Sequence, residues 1–272
     1  MIAAILLMTA ALPAAGPTPL ALHPANPHYF LFRGKPTVLV GSSEHYGAVL
    51  NLDFDAGPYL DELQRRGLNL TRVFSGTYRE VPGSFNIKDN TLAPRPGRFA
   101  CPWETSFAPE LAAKVEGFRL DRWNDAYFAR LKSFVAEAGK RGIVVEYTLF
   151  CPLYEDNLWA VSPMNARNNT NGVGNCPRTE VFTLKHGDLL AVQEAFVRKA
   201  VGELAGFDNV FFEICNEPYF GGVTPDWQAR IAATIAETEK DLPRKHLIAQ
   251  NIANGSARIE HPDPRVSIFN FH

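Results

Sequence analysis

Val210-Phe211-Phe212-Glu213-Ile214-Cys215-Asn216-Glu217-Pro218 is an apolar run that ends in an amide, a carboxylate and a proline. Its β-branched and aromatic composition suits a strand buried on both faces, as in a parallel sheet covered by helices. Proline cannot donate to a sheet ladder and fixes the exit of the chain, so the strand stops at Asn216 and Glu217. Two carboxylates beside large aromatic residues are expensive to bury. Two readings fit this ending: a scaffold that delivers a carboxylic acid to a cleft, or a strand end capped by solvated polar residues.

Outward from this strand, short runs rich in Val, Ile and Phe recur at 37–42, 69–75, 143–150, 246–251 and 266–271. Amphipathic stretches separate them. One covers about 54–66 and stops at Gly67. A second starts from a cap at Asp121, carries Trp123, Tyr127, Leu131 and Val135 at four-residue spacing, and ends at Gly142. A third, about 188–205, turns Leu189, Phe196, Ala200 and Leu204 to the sheet. A fourth opens with Thr224-Pro225 and carries Trp227, Ile231 and Ile235. These stripes are read as core. The alternation predicts parallel strands joined by helical crossovers. Ahead of them, Tyr29-Phe-Leu-Phe-Arg33-Gly34-Lys35-Pro36 followed by Thr37-Val-Leu-Val predicts an N-terminal β-hairpin. The expected fold is α/β, an incomplete (β/α)8 TIM barrel with about six of eight units, forming one domain over 20–272. The run Val266 to His272 reads as a strand with no closing helix, which leads to the expectation of a truncated sequence; a complete open six-stranded sheet is the competing reading.

The 272 residues carry a formal charge of -2 and no Lys/Arg block, so no nucleic-acid partner is expected. Residues 1–19 begin with an apolar run too short to span a bilayer. They read as a signal peptide, although no Lys or Arg precedes the apolar run; the mature protein is expected to be secreted or periplasmic, outside the membrane and monomeric. Of Cys101, Cys151, Cys176 and Cys215, the second and fourth sit at the ends of apolar strands, leaving Cys101 or Cys176 as the better disulfide candidate. No metal and no cofactor is expected: His-x-His, His-Glu-x-x-His, an Asp-rich calcium loop and a glycine-rich phosphate cradle are all missing from the sequence. Two long connections, roughly 76–120 and 151–186, follow strand C-termini and hold Trp103, Tyr154 and Trp159, the composition of loops that build a binding face.

Asn216-Glu217-Pro218 resembles the motif that ends the fourth strand of the clan A glycoside hydrolases, especially the cellulase-like members of family 5. Gly67-Leu-Asn69-Leu-Thr-Arg72-Val-Phe is similar to the second-strand segment of that clan, and Phe269-Asn270-Phe271-His272, more weakly, to its sixth. The resemblance covers about 37–272. It implies Glu217 as general acid/base, Asn216 as partner of the sugar 2-hydroxyl, and Arg72 as support for the catalytic nucleophile. It implies cleavage of β-linked poly- or oligosaccharide with retention, through a glycosyl-enzyme. In the clan the nucleophile is a glutamate on strand seven, and no glutamate here occupies that position, so the sequence as it stands is expected to lack double-displacement activity.

Glu44, His45 and Tyr46 end the first strand and are candidates to line a sugar subsite, with a rim salt bridge as the alternative for Glu44. Tyr147, Trp159, Tyr219 and His272 are further substrate-binding candidates, each with packing as the alternative except His272, which rests on the resemblance. Glu213, deeper in the barrel, is read as a buried structural carboxylate paired with a basic group. A non-catalytic carbohydrate-binding barrel is the rival function.

Overall fold

Short runs of β-branched and aromatic residues form the strands, and the helices between them bury the stripes expected of them. The computed structural model describes residues 18–42, 45–106, 117–242, 244–253 and 257–271, so nearly all of the expected leader lies outside the described residues. In chain order the elements are β1 (Ala21–Leu22), β2 (Phe30–Phe32), β3 (Lys35–Thr37), β4 (Gly41–Ser42), α1 (Ala56–Arg65), β5 (Leu70–Phe74), β6 (Trp103–Ser106) and β7 (Gly117–Trp123). They continue with α2 (Asp125–Lys140), β8 (Val144–Phe150), α3 (Asp156–Ala160), α4 (Gly187–Leu204), β9 (Val210–Cys215), α5 (Pro225–Glu239), β10 (Ile248–Ile252) and β11 (Ile268–Phe271).

Six strands make one sheet in the order β11-β10-β9-β8-β5-β4, every neighbouring pair parallel. This is an α/β architecture consistent with part of a TIM barrel. Leu189, Phe196, Ala200 and Leu204 of α4 and Trp227, Ile231 and Ile235 of α5 are all buried, as their spacing predicts. Trp227 packs between Phe150 and Phe182, with centroids 5.2 and 4.9 Å away, and its indole N–H donates to Gln193 at 2.8 Å.

The N-terminal hairpin β2–β3 forms as expected and gains β1 as a third strand. Leu20 and Phe32 pack on Val144, Phe211 and Ala249, which stand near the starts of β8, β9 and β10, so the hairpin covers the N-terminal end of the sheet. Arg33 ties it down with two bonds to Asp208, at 2.6 and 2.9 Å, and one to the Gly139 carbonyl.

Three expectations are corrected. The run 37–42 divides between two sheets: Thr37 ends β3, and β4 begins at Gly41. Between them the Asn69 amide donates to the Val38 carbonyl and accepts from the Val40 N–H, replacing ladder bonds. Asp121 is not a helix cap. Residues 117–123 form β7, antiparallel to β6, with Phe118 and Leu120 turned inward. The cap is Asn124, which accepts from the Tyr127 N–H. None of the four cysteines is in a disulfide, Cys101 and Cys176 included. Cys101 is buried, its thiol 3.4 Å from the Trp103 carbonyl.

Candidate active site

Period-two alternation along β5, β8 and β9 turns polar side chains inward where apolar ones would be expected. Arg72 of β5, Glu146 and Thr148 of β8 and Glu213 of β9 meet there, joined by Asn270 of β11. Arg72 pairs with Glu213 and lies 3.6 Å from Glu146, with the arginine 5% and Glu213 0% exposed. Its Nη2 also donates to Asn216 Oδ1 at 2.9 Å, and its Nε to Thr148 Oγ1 at 3.2 Å. Thr148 donates to Glu213 at 2.7 Å, and the Asn270 amide reaches both carboxylates at 3.1 Å. Buried charges are tolerated only when paired and hydrogen-bonded in this way.

The electrostatics follow. Burial alone would lower the Arg72 pKa, but Glu213 and Glu146 outweigh it, and the guanidinium is held charged. Burial pushes Glu146 up, the Glu213 charge adds to this, and Arg72 opposes it.

Above this layer, Asn216 and Glu217 follow the end of β9. Glu217 has a left-handed backbone, φ 35°, an uncommon conformation for a residue other than glycine and one found at sites that hold a side chain in place. Tyr154 donates to Glu217 Oε2 at 2.5 Å and accepts from Asn216 Nδ2 at 2.8 Å. Tyr219 donates to Glu217 Oε1 at 3.1 Å. Burial, the neighbouring Cys151 and the bond to Glu217 push the Tyr154 hydroxyl far up. Burial, then the charge of Glu217 and its hydrogen bond, push Tyr219 up to about 12. Both hydroxyls therefore remain donors through neutral pH.

Glu217 and Asn216 open into a cleft of about 940 Å³, which His45, Tyr46 and Tyr154 also line. Tyr46 stacks on Phe74 at 4.8 Å, with the Arg72 guanidinium 5.5 Å from its ring. His45 rests against Phe54 and Tyr59. The structure thus gathers Asn216, Glu217, His45 and Tyr46 around one cleft, with Arg72 bonded to Asn216 and Tyr219 bonded to Glu217. Glu213 is the buried, paired carboxylate read from the sequence.

Two substrate-binding candidates lie elsewhere. Tyr147 is fully buried on the opposite face of β8 from Glu146 and Thr148, sharing a 2.7 Å hydroxyl contact with Tyr127 of α2. Trp159 is buried within the connection after β8, its indole N–H donating to the Cys176 carbonyl. Glu44 and His272 lie outside the described residues. Sequence reasoning missed Glu146, Thr148 and Asn270. The signal was there: polar residues at period two within strands otherwise apolar.

No family model matches the sequence, nor does any curated protein. Solved structures share its fold. A candidate glycoside hydrolase from Bacteroides vulgatus matches with a TM-score of 0.62 at 16% identity, over 94% of this chain and 43% of that one. A glycoside hydrolase family 5 mannosidase from Rhizomucor miehei matches with a TM-score of 0.53 at 12% identity, over 86% and 55%. Endo-glycoceramidase II from a Rhodococcus species, in a lactosyl-enzyme form, matches with a TM-score of 0.50 at 14% identity, over 87% and 52%. The fold is therefore one used by glycoside hydrolases, family 5 members among them, and the chain spans about half the length of these neighbours.

Proposed function

We propose that the protein is a secreted or periplasmic glycoside hydrolase that cleaves O-glycosidic bonds of β-linked oligo- or polysaccharide with retention. The observation that carries this reading is the Glu217 carboxyl. It lies just past the C-terminal end of a parallel strand, opens into a cleft, and is held by two tyrosine hydroxyls beside an Asn216 that Arg72 anchors. Active sites of barrel enzymes assemble at this end of the strands.

In the proposed reaction Glu217 protonates the glycosidic oxygen as the leaving group departs, then takes a proton from the water that attacks the glycosyl-enzyme. Asn216 binds the 2-hydroxyl of the sugar, with Arg72 and Tyr154 fixing its amide. Retention requires a second carboxylate roughly 5–5.5 Å from the first. Glu213 and Glu146 are committed to Arg72 and Asn270, and the family resemblance assigns the nucleophile to a seventh strand, beyond the six described. The apolar leader supports export.

The test is hydrolysis of aryl β-glycosides and β-linked polysaccharides by the full-length gene product and its Glu217→Gln variant. A general acid/base predicts a fall of about 10²–10⁴-fold in kcat/KM on natural substrates with binding retained. A wild type that binds glycans without cleaving any would overturn the enzymatic reading in favour of a carbohydrate-binding barrel.

A further inference from the structure

The cleft has a buried end and an exposed side. Asn216, Glu217 and Tyr46 form its more buried end, over Arg72; Phe85, Ile87 and Phe220 line its exposed side, together with the charged Lys88, Asp89 and Glu155. Those three apolar side chains are 52%, 52% and 49% exposed. Scattered exposed hydrophobics are ordinary, but three large ones lining one cavity beside a carboxylate are not.

The backbone that presents two of them is strained. Gly83 has φ 87°, and Phe85, Asn86 and Asp89 follow with φ 54°, 56° and 52°. Asn and Asp tolerate this region; a bulky phenylalanine there is an outlier of the kind that clusters at binding sites. The turn is closed by the Asn86 N–H on the Gly83 carbonyl and the Ile87 N–H on the Ser84 carbonyl, each at 3.2 Å. It sets the Phe85 ring edge-on to Tyr154 at 5.4 Å, and Tyr154 meets Phe220 at 5.8 Å. The side chain whose hydroxyl holds Glu217 therefore braces two of these apolar side chains with its ring. Two of the polar groups of the lining are turned to one another: Asn90 donates to Glu80 at 2.5 Å, and Glu80 also accepts from Tyr78 at 2.9 Å.

We propose that the wall formed by Phe85, Ile87 and Phe220 is an aglycone subsite for an apolar group, an alkyl chain or an aryl ring, joined to the sugar held at Asn216 and Glu217. The inference rests on the glycoside hydrolase reading. The group that leaves with the oxygen Glu217 protonates is the one that extends outward from the buried end, and there it meets Phe85, Ile87 and Phe220. Phe85, Ile87 and Phe220 offer no hydrogen bond to the hydroxyls of a second sugar and gain by covering apolar surface, whereas the exposed Lys88, Asp89 and Glu155 of the same cleft carry donors and acceptors, so a sugar-only control decides between the two.

The probes are octyl, phenyl and methyl β-glycosides of glucose, mannose and galactose, with cellobiose as the sugar-only control. Octyl glycosides are kept below micelle-forming concentration. Dissociation constants are read by calorimetry on the full chain carrying Glu217→Gln, with and without Phe85→Asn or Ile87→Ser. Asn suits the left-handed backbone at 85, so the turn is kept while the ring is lost. The octyl or phenyl glycoside should bind at least about tenfold more tightly than the methyl glycoside of the same sugar, and that ratio should fall towards one in both variants. The larger of the octyl and phenyl ratios identifies the aglycone. A ratio near one in the parent, a ratio unchanged by the variants, or cellobiose binding that outcompetes the octyl glycoside and is lost with Phe85 would each overturn the subsite. Hydrolysis by the protein with Glu217 intact, indifferent to the aglycone, would sink the subsite and keep the enzyme. Selective octyl binding without turnover of any glycoside would keep the subsite and sink the enzyme.

Discussion

The Tyr154 hydroxyl accepts from Asn216 and donates to Glu217, so one side chain sets the spacing of the two groups assigned to the sugar and to the proton. Its replacement by phenylalanine keeps the ring against Phe85 and Phe220 and removes only the oxygen. Asn216 retains Arg72 and Cys151 as partners, whereas Glu217 loses a donor. A lost hydrogen bond to a charged group costs about 1.5–3 kcal/mol, which in a transition state is about 10- to 100-fold in rate. On the proposed glycoside hydrolase reading, Tyr154→Phe is therefore expected to lower kcat by that factor, with KM and thermal midpoint little changed. An unaltered kcat with a raised KM would assign Tyr154 to substrate binding instead. Arg72 has the opposite profile. It is the buried cation paired with Glu213, so Arg72→Met leaves that carboxylate without its partner and is expected to cost about 3–5 kcal/mol of stability, read from the urea midpoint.

At the scale of elements, the turn after β9 carries Glu217 and Tyr219 and is pressed against its neighbours by two glycines. A Cβ on Gly222, φ 81°, would lie 2.2 Å from the Thr179 carbonyl oxygen, and one on Gly221 would lie 2.8 Å from Pro152. Backbone cannot yield as a side chain can, so Gly222→Ala is expected to destabilise by more than about 1 kcal/mol and to lower activity by shifting Tyr219. Equilibrium urea unfolding and kcat/KM check the two effects. The strands themselves were legible, because continuous Val, Ile and Phe between amphipathic stretches leaves few alternatives. The antiparallel pair β6–β7 was not, because Trp123 and Tyr127 extended the helical spacing back past the true cap at Asn124. The inward Phe118 and Leu120 alternate with Arg119 and Asp121, a strand period hidden beside that helical one. The face taken by Tyr147 turned on strand phase, which Glu146 and Thr148 reveal only once they are seen bonded to Arg72 or its partners. Asn216, Glu217 and Arg72 were legible from short motifs. The Tyr154 bridge was not, since it depends on how a long connection folds back over β9.

For the molecule as a whole, the curled sheet is apolar at its N-terminal end, where the hairpin covers it, and charged in its middle layer, where Arg72 faces both Glu146 and Glu213. One cation between two buried carboxylates makes the fold sensitive to pH. Burial and the neighbouring Glu213 push Glu146 up to about 8 from its ordinary value of 4.5. The folded state therefore binds a proton that the unfolded chain releases near 4.5, so the stabilisation is full below that pH and lost as pH rises through about 8. Glu146→Gln mimics the protonated form, retains an acceptor for the Asn270 amide, and removes the titration. Relative to this variant, wild type should lose stability progressively from about pH 5 to about pH 8, by an amount on the order of a few kcal/mol. Urea midpoints measured across that range for both proteins decide it: the curves should converge at the acidic end and separate at the alkaline end. Parallel curves would mean that Glu146 is already ionised in the fold and that Arg72 alone balances both carboxylates.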